Sequence, residues 1–194
     1  MIKYTMLLKR AFDLIFSLFL FLCLTPLLLP FLISIWLIDG SPIFFVQDRS
    51  GIHGKKIKLY KLRTYKGDKI THLGPLLRKL RIDEIPQLLN VIKGDLSIVG
   101  PRPLFLEYNE LYSKNQKKRL LVKPGITGLA QIKGLNHLSW KNKFKYDVFY
   151  VEKRNFIFDC YIILNTFTLI IKLFFVTNPE YKFASKFEGN KKKL

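Results

Sequence analysis

The residues best suited to chemistry lie between positions 78 and 103, in RKLRIDEIPQLLNVIKGDLSIVGPRP. Two adjacent carboxylates, Asp83 and Glu84, open an amphipathic stretch. Arg78, Lys79 and Arg81 precede them, and Arg102 follows within a Gly-Pro-Arg-Pro turn. A carboxylate at a helix N-terminus meets the positive end of the helix dipole and stays ionised. Neighbouring guanidinium groups push the same way. An ionised carboxylate can act as a nucleophile or bind Mg²⁺, and arginine forks match phosphate oxygens. Acids and arginines around one helix start therefore point to phosphoryl chemistry with a divalent ion. The plainer alternative is a capping Asp83 and a Glu84 paired with Arg81 or Lys79. Spacing alone leaves both open.

The elements that must position these groups follow from the periodicity. Residues 82–93 read as a helix whose core face is Ile85, Leu88, Leu89 and Ile92. Pro86 fits only its first turn, and Gly94 is placed to end it. Residues 41–48 and 56–63 are β-like and flank the turn SGIHGK, which predicts a hairpin. Residues 72–81 form a short helix or an irregular basic stretch. Residues 104–122 read as a second helix with a basic end, and KPGITGLAQIKG reads as a glycine-bearing loop. Residues 140–153 are helical. Residues 156–176 form an apolar helix whose Asp159, Asn165 and Lys172 suit a membrane interface better than a span.

The N-terminus is different in kind. Between residues 11 and 38 the only charge is Asp13. A straight helix of that length would reach about 42 Å, against a hydrocarbon core of about 30 Å. The run is too long for a signal peptide. Thr25 and Pro26 lie in its middle, Pro30 follows, and proline breaks or kinks a helix. Both flanks are basic: Lys3, Lys9 and Arg10 on one side, Arg49, Lys55 and Lys56 among others on the other. The positive-inside rule places both flanks in the cytoplasm. A re-entrant helix-break-helix satisfies both facts, and a kinked span is the alternative. Asp13 lies four residues after Lys9 and three after Arg10, so it can pair with either on one helix face.

Composition narrows the class. The chain has 194 residues, is 49% hydrophobic and carries a formal charge of +19. Net charge is +1 over residues 1–40, +11 over 41–123 and +7 over 124–194. A disordered basic tail is excluded by the apolar content. The basic charge asks for a polyanionic partner: nucleic acid, anionic lipid or a phosphorylated substrate. Cys23 and Cys160 have no framework spacing, and His53, His72 and His137 form no metal motif.

Taken together, the blocks KRAFD, SPIFFVQDRSG, YKLRT, DEIPQLLNVIKGDLSIVGPRP, KPGITGLAQIKG and a final D-x-x-Y-V, in that order, resemble the bacterial sugar transferase family of small monotopic phosphoglycosyl transferases. The resemblance covers roughly residues 9–175. Arg81, Tyr65, Leu129 and Leu135 stand where many family members carry other residue types. The resemblance implies transfer of a sugar-1-phosphate from a UDP-sugar to undecaprenyl phosphate, with release of UMP. It implies Asp83 as nucleophile, Glu84 as its partner, and both near Mg²⁺. It assigns phosphate or nucleotide binding to Lys61, Arg78 and Arg102, with Gly125, Thr127 and Gln131 shaping the nucleotide or sugar pocket. The implied fold is α+β, mainly α. Residues 1–40 would form a re-entrant anchor broken at Thr25-Pro26, and residues 41–177 a cytoplasmic catalytic domain with a β-hairpin and interfacial amphipathic helices. Residues 178–194 would be a basic tail. The implied setting is the bacterial inner membrane with its anionic inner-leaflet lipids, and no nucleic acid. Two other classes compete on charge alone: a membrane-tethered nucleic-acid binder and a non-catalytic membrane scaffold.

Overall fold

The computed structural model describes residues 5–134, 138–175 and 186–189. Lys3, Leu135, Asn136, His137 and most of the tail from 178 lie outside the described residues. The architecture is mainly helical, with small sheets.

Helix α1 spans Met6–Ser34 and continues as a π-helical turn, Ile35–Asp39. Thr5 caps it through its hydroxyl, which accepts from Leu8 N. The expected break at Thr25-Pro26 does not interrupt the helical run, and Pro26 and Pro30 both lie inside it. The Thr25 hydroxyl donates to the Phe21 carbonyl at 2.6 Å, the local bonding that lets a helix carry proline. By length and composition α1 can cross a membrane, and only 11% of its most apolar window is buried. It is therefore not an ordinary core helix.

One face of α1 nevertheless packs along the rest of the protein. Phe12, Phe16, Leu20, Phe21 and Leu24 lie against the main core, built on Leu88, Val91, Leu96, Ile98, Tyr150 and Ile162. Leu28 and Ile35 belong to a second cluster with Leu62 and Leu77. Arginines tie down both ends. Arg10 donates to the carbonyls of Val91 and Ile92, at 2.5 and 2.6 Å. Arg63 donates to the carbonyls of Asp39, Gly40 and Ser41. These contacts satisfy helix-end carbonyls that would otherwise lack partners.

Strands β1 (Phe44–Ser50) and β2 (Lys56–Leu62) form the expected antiparallel hairpin, with Gln47 opposite Leu59. Its turn holds His53 and Gly54 at positive φ. A two-residue ladder, β3 (Tyr65–Lys66) with β4 (Lys69–Ile70), leads to helix α2, Gly74–Lys79.

The stretch expected as one helix over 82–93 is a 3₁₀ turn, Ile82–Glu84, followed by helix α3, Gln87–Lys93. Gly94 ends α3 at φ 95°. Its inner face is Leu88 and Val91 with Asn90, whereas Leu89 is exposed. Asn90 explains the difference: its amide donates to Lys58 O and accepts from Tyr60 N, capping the free edge of β2.

Two other expectations need correction. Residues 104–122 hold a four-residue helix α4 (Tyr108–Leu111) and a 3₁₀ turn (Gln116–Leu121), not one helix. Between them Ser113 and Gln116 exchange side-chain and backbone bonds as a capping box, which starts a new turn. The loop expected at KPGITGLAQIKG contains strand β6 (Gly125–Thr127), parallel to β5 (Ser97–Val99), and helix α5 (Leu129–Gly134). A side chain on Gly125 or Gly128 would collide with the Gly100 backbone, so these glycines let two backbones touch.

Helix α6, Trp140–Lys153, matches the expected helix and starts on a Ser139 cap. Helix α7, Phe156–Phe175, returns beside α5 and exposes Ile157, Leu164, Phe167 and Ile171.

Candidate active site

The dyad is placed by a backbone reversal. Pro75 opens α2, and α2 stops at Lys79. Arg81 then adopts φ 59°, a left-handed conformation that costs a non-glycine residue about 1 kcal/mol. The turn it makes carries Ile82–Glu84 back onto β2. Arg78, five residues before Asp83 and out of reach along a straight helix, is brought close enough for its charge to act on that carboxylate. Its guanidinium also lies 5.3 Å from the Tyr65 ring centroid.

Asp83 and Glu84 are both buried, at 7% and 8% exposure. Their surroundings differ sharply. Glu84 Oε1 accepts from Arg102 at 2.7 Å and from Lys61 at 3.0 Å, and Oε2 lies 3.4 Å from Arg81. Burial alone would raise its pKa. Arg102, then Lys61 and Arg81, outweigh that and hold it well below the ordinary value. Asp83 has no hydrogen-bond partner among the described residues. Burial, reinforced by the neighbouring Glu84 charge, pushes it up to about 6, against the pull of Lys61, Arg81 and Arg78. Asp83 is thus less firmly ionised than its place at a helix start suggests. It is still largely a carboxylate at neutral pH, and it is the member of the pair free to react.

Arg102 is held from behind. The Gly-Pro-Arg-Pro turn is pinned by Gly100 N to Thr127 O at 2.9 Å and by Gly125 N to Pro101 O at 3.0 Å. The Arg102 carbonyl accepts from Arg119 at 2.6 Å, and Arg119 pairs with Asp147 at 3.0 Å. Arg119 and Asp147 are both buried, so this ion pair is a fixed brace behind the turn.

Beside the dyad opens an apolar cavity of about 230 Å³. Phe16, Leu20 and Leu24 of α1 form one wall, and Ile163, Phe167 and Ile170 of α7 another. Its polar end carries Glu84, Arg81, Arg102, Thr127 and Gln131. The Gln131 amide donates to Ile126 O, while its buried Oε1 has no partner among the described residues. Thr127 and Thr166 share a hydroxyl contact of 2.7 Å.

Of the residues singled out from sequence, Asp83, Glu84, Lys61, Arg78 and Arg102 converge. Thr127 and Gln131 line the adjoining cavity. Gly125 does not line it and serves the backbone crossing instead. Thr25 and Pro26 lie in α1, away from the dyad's contacts. Arg81 is found on Glu84, as one of the two pairings the sequence offered; two participants were not assigned a role, Arg119 and Asp147 of the brace. What the sequence did not reveal at Arg81 is its left-handed backbone, which leaves no sequence mark. Asp147 could be found from its place in D-x-x-Y-V.

Any carboxylate pair with one member clamped by cations and one free could attack phosphorus; the chain's relatives narrow the choice. A family model described as bacterial sugar transferase matches residues 4–173. The chain is 45% identical to "Uncharacterized sugar transferase EpsL" of Bacillus subtilis, over 95% of this chain and 98% of that protein. It is 34% identical to "Exopolysaccharide production protein ExoY" of Sinorhizobium fredii, over 81% and 83%. It is 35% identical to the "UDP-glucose:undecaprenyl-phosphate glucose-1-phosphate transferase" of Escherichia coli, over 82% of this chain but 39% of that longer protein. With the match running through the dyad, the arginine turn and both long helices, the chain belongs to the bacterial sugar transferase family.

Proposed function

We propose that this phosphoglycosyl transferase moves a sugar-1-phosphate from a UDP-sugar to undecaprenyl phosphate, an early membrane step of surface glycan assembly. One observation carries the reading: a buried carboxylate, Asp83, adjoins a cation-clamped one, Glu84, which lines an apolar cavity together with Arg81 and Arg102. Apolar walls on two sides suit a polyprenyl chain, with the charged end at its phosphate.

In this mechanism an Asp83 carboxylate oxygen attacks the sugar-bearing β-phosphorus. The bond from that phosphorus to the bridging oxygen breaks, and UMP leaves. The lipid phosphate oxygen then attacks the same phosphorus, the bond to Asp83 breaks, and the carboxylate is restored. Lys61, Arg78, Arg81 and Arg102 hold the phosphate oxygens and stabilise charge as it shifts. Glu84 aligns three of these cations through its own oxygens. Two steps through one nucleophile remove the need to bind both polyanions at once.

Mg²⁺ fits the donor set. Magnesium takes one or two carboxylates and completes its shell with phosphate oxygens and water. Among the described residues no cluster of three or more metal-type side chains exists; Asp83, which accepts no hydrogen bond among them, and its neighbour Glu84 would be the protein ligands. When bound, the ion neutralises phosphate charge.

The same reading places the protein on the cytoplasmic face of the bacterial inner membrane, its excess of basic residues against anionic lipid. Both ends of α1 are tied to one domain, through Arg10 at the start and Arg63 at the end. A spanning helix would draw that domain into the bilayer. A helix that dips into one leaflet, with Ile15, Phe19, Leu22, Leu29 and Ile33 turned to lipid, avoids this cost.

The test is a panel of UDP-sugars with Mg²⁺ and undecaprenyl phosphate, read by UMP release. The wild type is expected to release UMP with at least one donor, and Asp83→Asn to lose roughly 10³-fold or more. Equal release by both proteins overturns the nucleophile. No release with any donor overturns the reaction class.

A further inference from the structure

Arg102 has two cationic neighbours that the mechanism above does not use. Arg49, near the end of β1, stacks its guanidinium 3.7 Å from the Phe105 ring centroid. It donates to Gln47 Oε1 at 2.6 Å and to the Asp48 carbonyl at 3.1 Å, both uncharged acceptors. The Asp48 carboxylate pairs with Lys56 instead. Lys143, on α6, lies 4.6 Å from the Trp140 ring centroid. The nearest acid on its own helix face, Asp147, is committed to Arg119. Among the described residues neither Arg49 nor Lys143 forms an ion pair. Burial lowers the Arg49 guanidinium to about 10, and the Arg102 charge adds to that. Lys143 is lowered by the same two causes in the same order. The chain geometry brings these cations around Arg102: Ser50 N donates to Leu104 O, Arg49 stacks on Phe105, and Arg119 joins the Arg102 carbonyl to Asp147, one turn along α6 from Lys143. Asp147 acts on Lys143 and Asp83 on Arg102, while the carboxylate whose charge reaches both Arg49 and Arg102 is Glu84. It already serves Lys61, Arg81 and Arg102.

Partly buried like charges repel, and an anion bound between them relieves that cost. Two faces of Arg102 can now be told apart. Arg102 and Glu84 line the apolar cavity; Arg49 and Lys143 do not. The cavity side has the walls for a lipid tail. The Arg49–Lys143 side has cations steadied by aromatic faces, and its Phe105 is 42% exposed. That suits a water-soluble phosphate.

We propose that Arg49 and Lys143, flanking Arg102, form the seat of the departing nucleoside monophosphate, separate from the cavity that receives the acceptor lipid. The seat rests on the transfer reaction proposed above. It gives each of two successive phosphates its own approach to Arg102, so the nucleotide can leave without crossing the lipid's path.

Equilibrium dialysis of radiolabelled UMP against the full chain in detergent micelles tests this without turnover. Arg49→Met and Lys143→Met are each expected to weaken UMP binding about tenfold, the size of one charge-assisted phosphate contact. The KM for undecaprenyl phosphate is expected to stay within about threefold in both. Lys143 is half-buried on a helix surface, so its variant keeps the test alive if Arg49→Met does not fold; Arg49→Lys is the milder second variant. UMP affinity unchanged in the folded variants overturns the seat, as does a wild type that does not bind UMP. A tenfold rise in the lipid KM with unmoved UMP affinity overturns it too, and assigns the cations to the lipid phosphate. A wild type that binds UMP yet transfers nothing breaks the reaction reading and leaves the seat standing.

Discussion

Two charged nodes in this molecule are near mirror images. At the start of α1 one cation serves two carboxylates. Lys9 pairs with Asp13 at 2.9 Å and with Asp159 at 2.7 Å. Both acids are almost fully buried and further bonded, Asp13 to Ile98 N and Asp159 to the Tyr150 hydroxyl. At the dyad one carboxylate serves three cations, Lys61, Arg81 and Arg102, and the cations stay partly exposed. The first node joins α1, β5, α6 and α7, and both of its carboxylates are closed to solvent. It works as a staple between the membrane-type helix and the domain. The second is over-supplied with positive charge and opens on a cavity. In the proposed reaction it is the receptor for the phosphates. Both count as salt-bridge clusters; only the sign and accessibility of the surplus separate structure from chemistry.

Swapping losses between the nodes tests that distinction, and the largest effect belongs to the staple. Lys9→Met leaves two buried carboxylates without their counter-charge. It should cost about 3–5 kcal/mol of stability, read by thermal or denaturant unfolding in detergent. Glu84→Gln should cost less stability, because the freed cations can reach solvent, but about 10²-fold or more in UMP release. If Glu84→Gln proves the more destabilising of the two, the staple and the receptor have been assigned the wrong way round.

A smaller effect separates the apolar half of the receptor from the cationic half. Leu20 lines the cavity from α1 and touches none of the charged groups described above. Leu20→Trp should fill part of the cavity and raise the KM for undecaprenyl phosphate about tenfold. UMP release in the half-reaction without acceptor should stay near wild type. Equal damage to both half-reactions would mean the cavity is not the lipid's alone.

The sequence revealed these two nodes unequally. The Lys9–Asp13 half of the staple follows from helical spacing, four residues on one face. Its other half, Asp159, lies 150 residues away, and no local pattern pairs it with Lys9. The dyad was legible because two acids stand together amid arginines and because six blocks in one order resemble one family. The hairpin was legible from strand alternation around a glycine turn, and the span of α6 from the sequence alone. What remained hidden depends on non-local backbone contact. Glycines 100, 125 and 128 look like loop residues, yet they mark the crossing of β5 and β6. Asn90 sits in the buried face of α3, where hydrophobic periodicity does not count a polar residue, because a strand edge needs its amide.

The subtlest consequence lies in the receptor's unpartnered acid. Asp83 titrates at about 6 in the fold, against 3.8 for an ordinary aspartate. A carboxyl with a raised folded pKa binds more protons folded than unfolded between those two values. Stability therefore falls as pH rises through that window, and the full penalty is in force above it. The gap sets a ceiling of about 3 kcal/mol. Replacing Asp83 by Asn removes the penalty but buries an amide, at about 1–2 kcal/mol. Asp83→Asn should thus be more stable than wild type by about 1 kcal/mol at pH 7.5, a shift of a few degrees in Tm. The advantage should vanish below pH 4, where the wild-type carboxyl is neutral in both states. Wild-type kcat/KM for the donor should fall as pH drops through about 6, since only the ionised carboxylate attacks. An Asn variant equally stable at both pH values, together with a flat donor profile from pH 5 to 8, would show that Asp83 is neither strained by burial nor the group that must be charged.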